Sequence, residues 1–193
     1  MEMRKIVAGL FISLDGVVEA PEKWIIPYYN DEIGQTIESA MTEADILLLG
    51  RRTYELFAAH WPNQSSDVQF ADWMNNTSKL VVSRTLKKVE WKNSTLIKGD
   101  VVKELTKLKQ QRGKNIHVIG SATLVRSLLR DGLLDELGLM VYPIILGAGR
   151  RLFEDGSGQV ALKLATAKTV NTGVLSLVYE PAASGVSEGG KRA

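Results

Sequence analysis

Between residues 6 and 130, short apolar runs alternate with helix-length amphipathic segments, and this alternation is what most narrows the fold. A run too short for a helix and apolar throughout suits a strand buried on both faces. Strands of that kind, separated by amphipathic helices, build a parallel sheet with helices packed against it. Strands are expected at 6–12, 46–49, 80–82, 95–97 and 116–119. Helices are expected at 31–42, where Ile33, Ile37 and Met41 recur at four-residue spacing, from about Arg51, after Asp100, and over 121–130. After Gly132 the rhythm changes. Segments 137–146, 160–170 and 174–179 are strand-like with no helix between them, and Asn171-Thr172-Gly173 offers a turn between the last two. The expected architecture is α/β, a mostly parallel central sheet between helical layers with antiparallel C-terminal strands.

A chain of 193 residues with 45% hydrophobic content is enough for one such domain, expected over 1–181, and the small, polar, Gly-rich segment 182–193 reads as a disordered tail. No cysteine is present, which removes thiol nucleophiles, Cys-liganded zinc and iron–sulfur clusters. The N-terminus lacks the pattern of a secretion signal and no apolar run approaches a membrane span, so a cytoplasmic location is the expectation. The net charge of +2 conceals a split: residues 1–77 carry 5 basic and 12 acidic side chains, residues 78–133 carry 13 and 4, and the remainder 6 and 6. Lys103, Lys107 and Lys109 fall on the polar face of one helix, where lysine is usually solvated, so no nucleic-acid partner is expected.

Several chemistries fail on their motifs. Of the two histidines, His117 lies inside a strand pattern and His60 beside Trp61-Pro62, and no G-x-S-x-G elbow presents a serine. There is no P-loop, and Gly147-Ala148-Gly149 opens a dinucleotide fingerprint that Leu152 closes wrongly. No metal-ligand set is apparent.

The positive signals are strand-to-helix junctions. Leu47-Leu48-Leu49 runs into Gly50-Arg51-Arg52-Thr53-Tyr54-Glu55, Val118-Ile119 runs into Gly120-Ser121-Ala122-Thr123-Leu124, and Val81-Val82 runs into Ser83-Arg84-Thr85. Helix N-termini expose unpaired N–H groups and the positive end of the dipole, so small residues there let a phosphate reach the backbone. In an open α/β sheet these junctions share the carboxyl edge where ligands bind. Two or three anion sites on one edge suit a nucleotide with a pyrophosphate and a further phosphate.

In this order the motifs resemble the dihydrofolate reductase superfamily, and more closely the reductase domain of the bifunctional riboflavin-biosynthesis deaminase-reductase and its stand-alone relatives. The resemblance runs from about Arg4 to Tyr179. It includes Ser13-Leu14-Asp15-Gly16, the three junctions above, Asp135-Glu136-Leu137, Pro143, Leu146-Gly147-Ala148-Gly149 and Leu152-Phe153. It implies a dihydrofolate-reductase-like three-layer fold and NADPH as cofactor. Arg51, Arg52 and Thr53, with Gly50, would lie on the adenosine side and Ser83 and Arg84 would flank the 2′-phosphate. Ile119, Gly120, Ser121, Ala122, Thr123 and Leu124 would cradle the pyrophosphate. Asp15 and Gly16 would lie near nicotinamide and substrate. Two departures stand out: Ser121 replaces a second glycine, and the zinc deaminase domain is missing, with no H-x-E and P-C-x-x-C set.

The implied activity is hydride transfer from NADPH to a C=N or C=O bond of a small substrate, pyrimidine- or pteridine-like as in 5-amino-6-(5-phosphoribosylamino)uracil reductases. Asp15 is the candidate to donate the accompanying proton or order a donating water, although Asp-Gly is also a common turn pair. Asp31 and Glu32 open a helix that carries a functional carboxylate in dihydrofolate reductase, and the sequence does not fix which faces the cleft. Trp24, Tyr28 and Tyr29 are candidates to stack on a planar substrate or to pack at the sheet edge. The alternative is a catalytically silent nucleotide- or flavin-binding module of the same fold. Relatives with this C-terminal signature pair as dimers, so a homodimer is expected.

Overall fold

The computed structural model describes residues 3–156 and 158–182. Eight strands form one sheet: β1 (Ile6–Ser13), β2 (Ala44–Gly50), β3 (Ser78–Val82), β4 (Ser94–Ile97), β5 (Asn115–Gly120), β6 (Glu136–Tyr142), β7 (Leu162–Thr169) and β8 (Leu175–Pro181). Their order is β4-β3-β2-β5-β1-β6-β8-β7. The first six run parallel, and β8 pairs antiparallel with both β6 and β7. The helices are α1 (Asp31–Thr42), α2 (Arg51–His60), α3 (Ala71–Asn76), α4 (Val101–Lys109) and α5 (Ala122–Arg130).

The alternation of side chains along each strand divides the core into layers. From β1, Ile6, Ala8, Leu10 and Ile12 pack on one face with Leu105 of α4 and Leu124, Val125 and Leu128 of α5. On the other face, α1 spans two clusters. Its Met41 joins Leu47, Leu49, Tyr54 and Met74, while its Ile33 joins Trp24, Met140, Tyr142, Val170 and Val174. The result is the expected three-layer α/β arrangement.

Several boundaries differ from the sequence reading. Strand β6 stops at Tyr142 because Pro143 follows and the chain folds back toward β1, with Leu14 N–H donating to the Ile144 carbonyl at 2.8 Å. The short helix α3, unforeseen in the sequence, buries Ala71 and Met74. Lys109 is not a solvated lysine: its ammonium donates to the Leu133 carbonyl at 3.0 Å and pairs with Asp135 at 2.7 Å, tying α4 to the approach to β6. Ala182 still belongs to the sheet margin, its N–H donating to the Ala161 carbonyl at 3.0 Å, and the rest of the expected tail lies outside the described residues. Among the described residues no helix is long and apolar enough to cross a membrane.

Candidate active site

The two glycine junctions lie side by side. Strands β2 and β5 are neighbours, with Leu49 opposite Gly120, so Gly50 and Ser121 meet at the carboxyl edge of the sheet. A Cβ at Gly50 would fall 2.5 Å from Ser121 Oγ and 3.1 Å from its backbone nitrogen. A Cβ at Gly120 would fall 2.9 Å from Thr53 Oγ1, and Gly120 has a φ of +148° that favours glycine. The Gly120–Ser121 peptide is cis. Each glycine thus makes room for a hydroxyl residue of the other junction.

Gly50 and Ser121 are the N-caps of α2 and α5, and neither helix receives a side-chain capping hydrogen bond. The first-turn N–H groups of Arg51, Arg52 and Thr53, and of Ala122, Thr123 and Leu124, therefore remain open beside one another at the positive ends of two dipoles. Ala122 and Leu124 turn their side chains into the core, while Thr123 is exposed and Ile119 packs on the α2 side of the sheet. Small glycine-lined space, hydroxyls and free backbone donors together match what a pyrophosphate needs.

The arginines divide. Arg51 pairs with Glu55 one turn along α2 at 3.0 Å. Arg52 and Arg84 are exposed and make no ion pair among the described residues. The Ser83 hydroxyl accepts from Thr85 N–H at 3.1 Å and Leu86 N–H at 3.0 Å, so it shapes the turn that carries Arg84.

Beside this double junction the sheet opens. Strand β1 pairs with β5 only as far as Ala8 and Val118, but stays paired with β6 to Ser13 and Tyr142. At the opening, Gly9 faces the His117 ring, which a Cβ would approach to 3.1 Å. His117 is buried, and that burial pushes its pKa down to about 4.

Past β1, the Ser13-Leu14-Asp15-Gly16 turn is fastened to the segment after β6. The Asp15 carboxylate accepts from Ser13 Oγ at 2.7 Å, Leu146 N–H at 3.1 Å and Gly147 N–H at 2.9 Å. Those hydrogen bonds, the Ser13 hydroxyl's first among them, hold its pKa down at about 2. Arg151, which the sequence reading passed over, donates from Nε to the Asp15 carbonyl at 2.9 Å, and Leu152 N–H donates to the Gly16 carbonyl at 2.9 Å. The late glycines belong to this fastening: a Cβ at Gly149 would lie 2.7 Å from Val17 Cγ1.

Helix α1 borders the opening, and its two leading acids point apart. Glu32 pairs with Lys168 of β7 at 2.8 Å. Asp31 lines a cleft of about 190 Å³ with Tyr29, Gly34, Gln35, Glu38 and Gln69. Trp24 is corrected from a stacking candidate to a core residue: it is buried, its ring edge-on to Tyr142 at 5.4 Å, and its Nε1–H donates to the Glu19 carbonyl at 3.0 Å. Tyr28 also packs edge-on against Tyr142, at 5.7 Å, with its hydroxyl donating to the Pro143 carbonyl at 3.3 Å.

Comparison with known proteins agrees with this fold. A Bacillus subtilis protein, YyaP, is 30% identical over 185 residues, covering 93% of this chain and 96% of its own length. A solved structure of a putative riboflavin biosynthesis protein from Shewanella sp. PV-4 superposes with a TM-score of 0.75 at 20% identity, covering 92% of this chain and 98% of that one. Dihydrofolate reductase from Enterococcus faecalis, solved with NADP(H), gives 0.63 at 13% identity, covering 94% and 99%. A diaminohydroxyphosphoribosylaminopyrimidine deaminase/5-amino-6-(5-phosphoribosylamino)uracil reductase from Thermotoga maritima also gives 0.63, at 15% identity, with 92% of this chain matching 57% of that one. The RibD C-terminal domain family matches residues 4–176, and the chain belongs to that family.

Proposed function

We propose that this protein is an NADPH-dependent reductase acting on a C=N or C=O bond of a small pyrimidine- or pteridine-like substrate. The observation that carries the reading is the interlocked pair of uncapped helix ends beside the opening between β1 and β5. The first turns of α2 and α5 would hold the pyrophosphate through Gly50, Thr53, Gly120, Ser121 and Thr123. Arg84, on the turn set by Ser83, and Arg52 supply unpaired guanidinium groups for the adenosine end and its 2′-phosphate. When bound, the nicotinamide supplies the hydride. The protein's own share is to orient the reacting carbons and keep water out.

The hydrogen bonds to the Asp15 carboxylate favour its ionised form, so we do not assign the proton to it. In this reading it is a positioning residue that fixes Gly16 and the Leu146–Gly147 backbone. Asp31 is the acid lining the cleft and the group we assign to the substrate.

Thermal denaturation with nucleotides tests the cofactor. NADPH at 100 times its dissociation constant stabilises a binding protein by roughly 2.7 kcal/mol. NADH is expected to do less at equal concentration, and Arg84→Ala to narrow the gap. No shift with either nucleotide refutes the assignment. Stabilisation without oxidation, across a panel of pyrimidines, pteridines and flavins, identifies instead a silent nucleotide- or flavin-binding module. We also infer a homodimer through the helix-free end of the sheet, where Leu164 and Leu175 remain 49% and 40% exposed. Solution mass at several concentrations, with Leu175→Glu expected to give monomers, checks this.

A further inference from the structure

The cleft beside α1 has a chemical character of its own. Its upper part is lined by Tyr29, Asp31, Gly34, Gln35, Glu38 and Gln69, with Tyr29 Oη donating to Gln69 Oε1 at 2.8 Å across its mouth. A second cavity of about 330 Å³ shares Glu38 and Gln69 and continues along α1 over Met41, Phe70 and Trp73. Neither is lined by a lysine or an arginine. The sequence shows that this is a property of both walls. Between Lys23 and Lys79 the only lysines or arginines are Arg51 and Arg52, in the first turn of α2, whereas the same stretch holds Asp31, Glu38, Asp67 and Asp72.

Asp31, the acid assigned above to the substrate, sits in the first turn of α1, which follows the carboxyl end of β1. A substrate ring held there would direct its side chain down the groove. A phosphate ester in that groove would lie among the exposed carboxylates of Asp31, Glu38 and Asp72, where like charges repel and the lining offers no arginine to pair with. A hydroxylated or amine-bearing chain would find carboxylate and carboxamide acceptors over an aromatic floor.

Resting on the reductase reading above, we propose that the substrate's side chain is uncharged or carries an amine, and that the protein rejects the phosphorylated substrates named for the Thermotoga reductase. The specificity comes from absent cations as much as from present acids.

The test is calorimetric. NADP⁺ is titrated first, then 5-amino-6-(5-phosphoribosylamino)uracil and its dephosphorylated counterpart, each with the nucleotide-saturated and the free protein. The dephosphorylated compound is expected to bind at least about tenfold more tightly. Glu38→Lys, an exposed change on α1, is expected to bring the two compounds together or reverse their order. Equal or tighter binding of the phosphorylated compound by the unaltered protein overturns the proposal, as does an order that Glu38→Lys leaves unmoved. Failure of NADP⁺ to bind would instead refute the cofactor reading, and the order of the two uracils on the free protein would still judge the cleft.

Discussion

Four helices of the fold begin in two different ways. Asn30 and Asp100 each place a side-chain oxygen on the first turn of α1 and α4, accepting from Ile33 N–H and Lys103 N–H at 3.0 Å. Gly50 and Ser121 leave the first turns of α2 and α5 without a side-chain acceptor, even though Ser121 has a hydroxyl suited to the task. The capped ends use their donors to hold the fold. The uncapped ends stand together where β2 and β5 end, and their first-turn donors meet no side-chain acceptor. In the function proposed above, cap chemistry within one sheet separates helices that serve stability from helices that serve binding.

Experiments can break or sharpen this contrast, and pH has the largest expected effect. His117 lies in β5 just before the α5 junction, with a folded pKa of about 4 against 6.5 for an ordinary histidine. Between those values the unfolded chain binds the proton and the folded one does not, so stability is complete above pH 6.5. It falls as pH drops toward 4, by on the order of 3 kcal/mol in all. Urea titrations of wild type and His117→Phe across this window should show the slope in the first and its loss in the second. Helix-end comparisons are therefore cleanest above pH 6.5.

Next in size is Ser121→Asp, which gives α5 the kind of cap that α4 has. We expect NADPH affinity to fall by about 100-fold, near 2.7 kcal/mol, while the nucleotide-free protein gains roughly 0.3–1 kcal/mol from the dipole. Tighter NADPH binding in this variant would show that the α5 end is no anion site. Gly120→Ala forces a side chain toward Thr53 at a positive φ and should cost about 1–3 kcal/mol, seen as a lower denaturation midpoint at unchanged slope. The smallest changes are Asn30→Ala and Asp100→Ala, about 1 kcal/mol each. Neither should alter the NADPH dissociation constant, and a change there would erase the distinction between the two kinds of helix end.

Much of the site is legible as local pattern. A strand, a glycine and a hydroxyl at a helix start can be read from a few consecutive residues, which is why Gly50, Thr53, Gly120 and Ser121 stand out before any fold is known. Other residues take their meaning from distant partners. Asp15 reads as a turn residue until the N–H groups of Leu146 and Gly147 arrive from more than 130 positions along the chain. Asp31 and Glu32 are equivalent first-turn acids until Lys168 claims the second of them. Trp24 looks available for a ligand until Tyr142 and Val170 close over it. The acidic first part of the chain is a bare count in the sequence. Folding gathers part of it into the walls of one cleft.

The sequence by itself determined the kinds of element and their order, the short α3 apart, because periodicity and turn chemistry act over a few residues and need no knowledge of the rest. It also determined that two helices would start on glycine or serine at a strand end. The tertiary structure decided which N–H groups stay unpaired, which carboxylates are already engaged and which acid faces open space. Those outcomes depend on which strands become neighbours, and strand order in this sheet brings together residues that the chain keeps far apart.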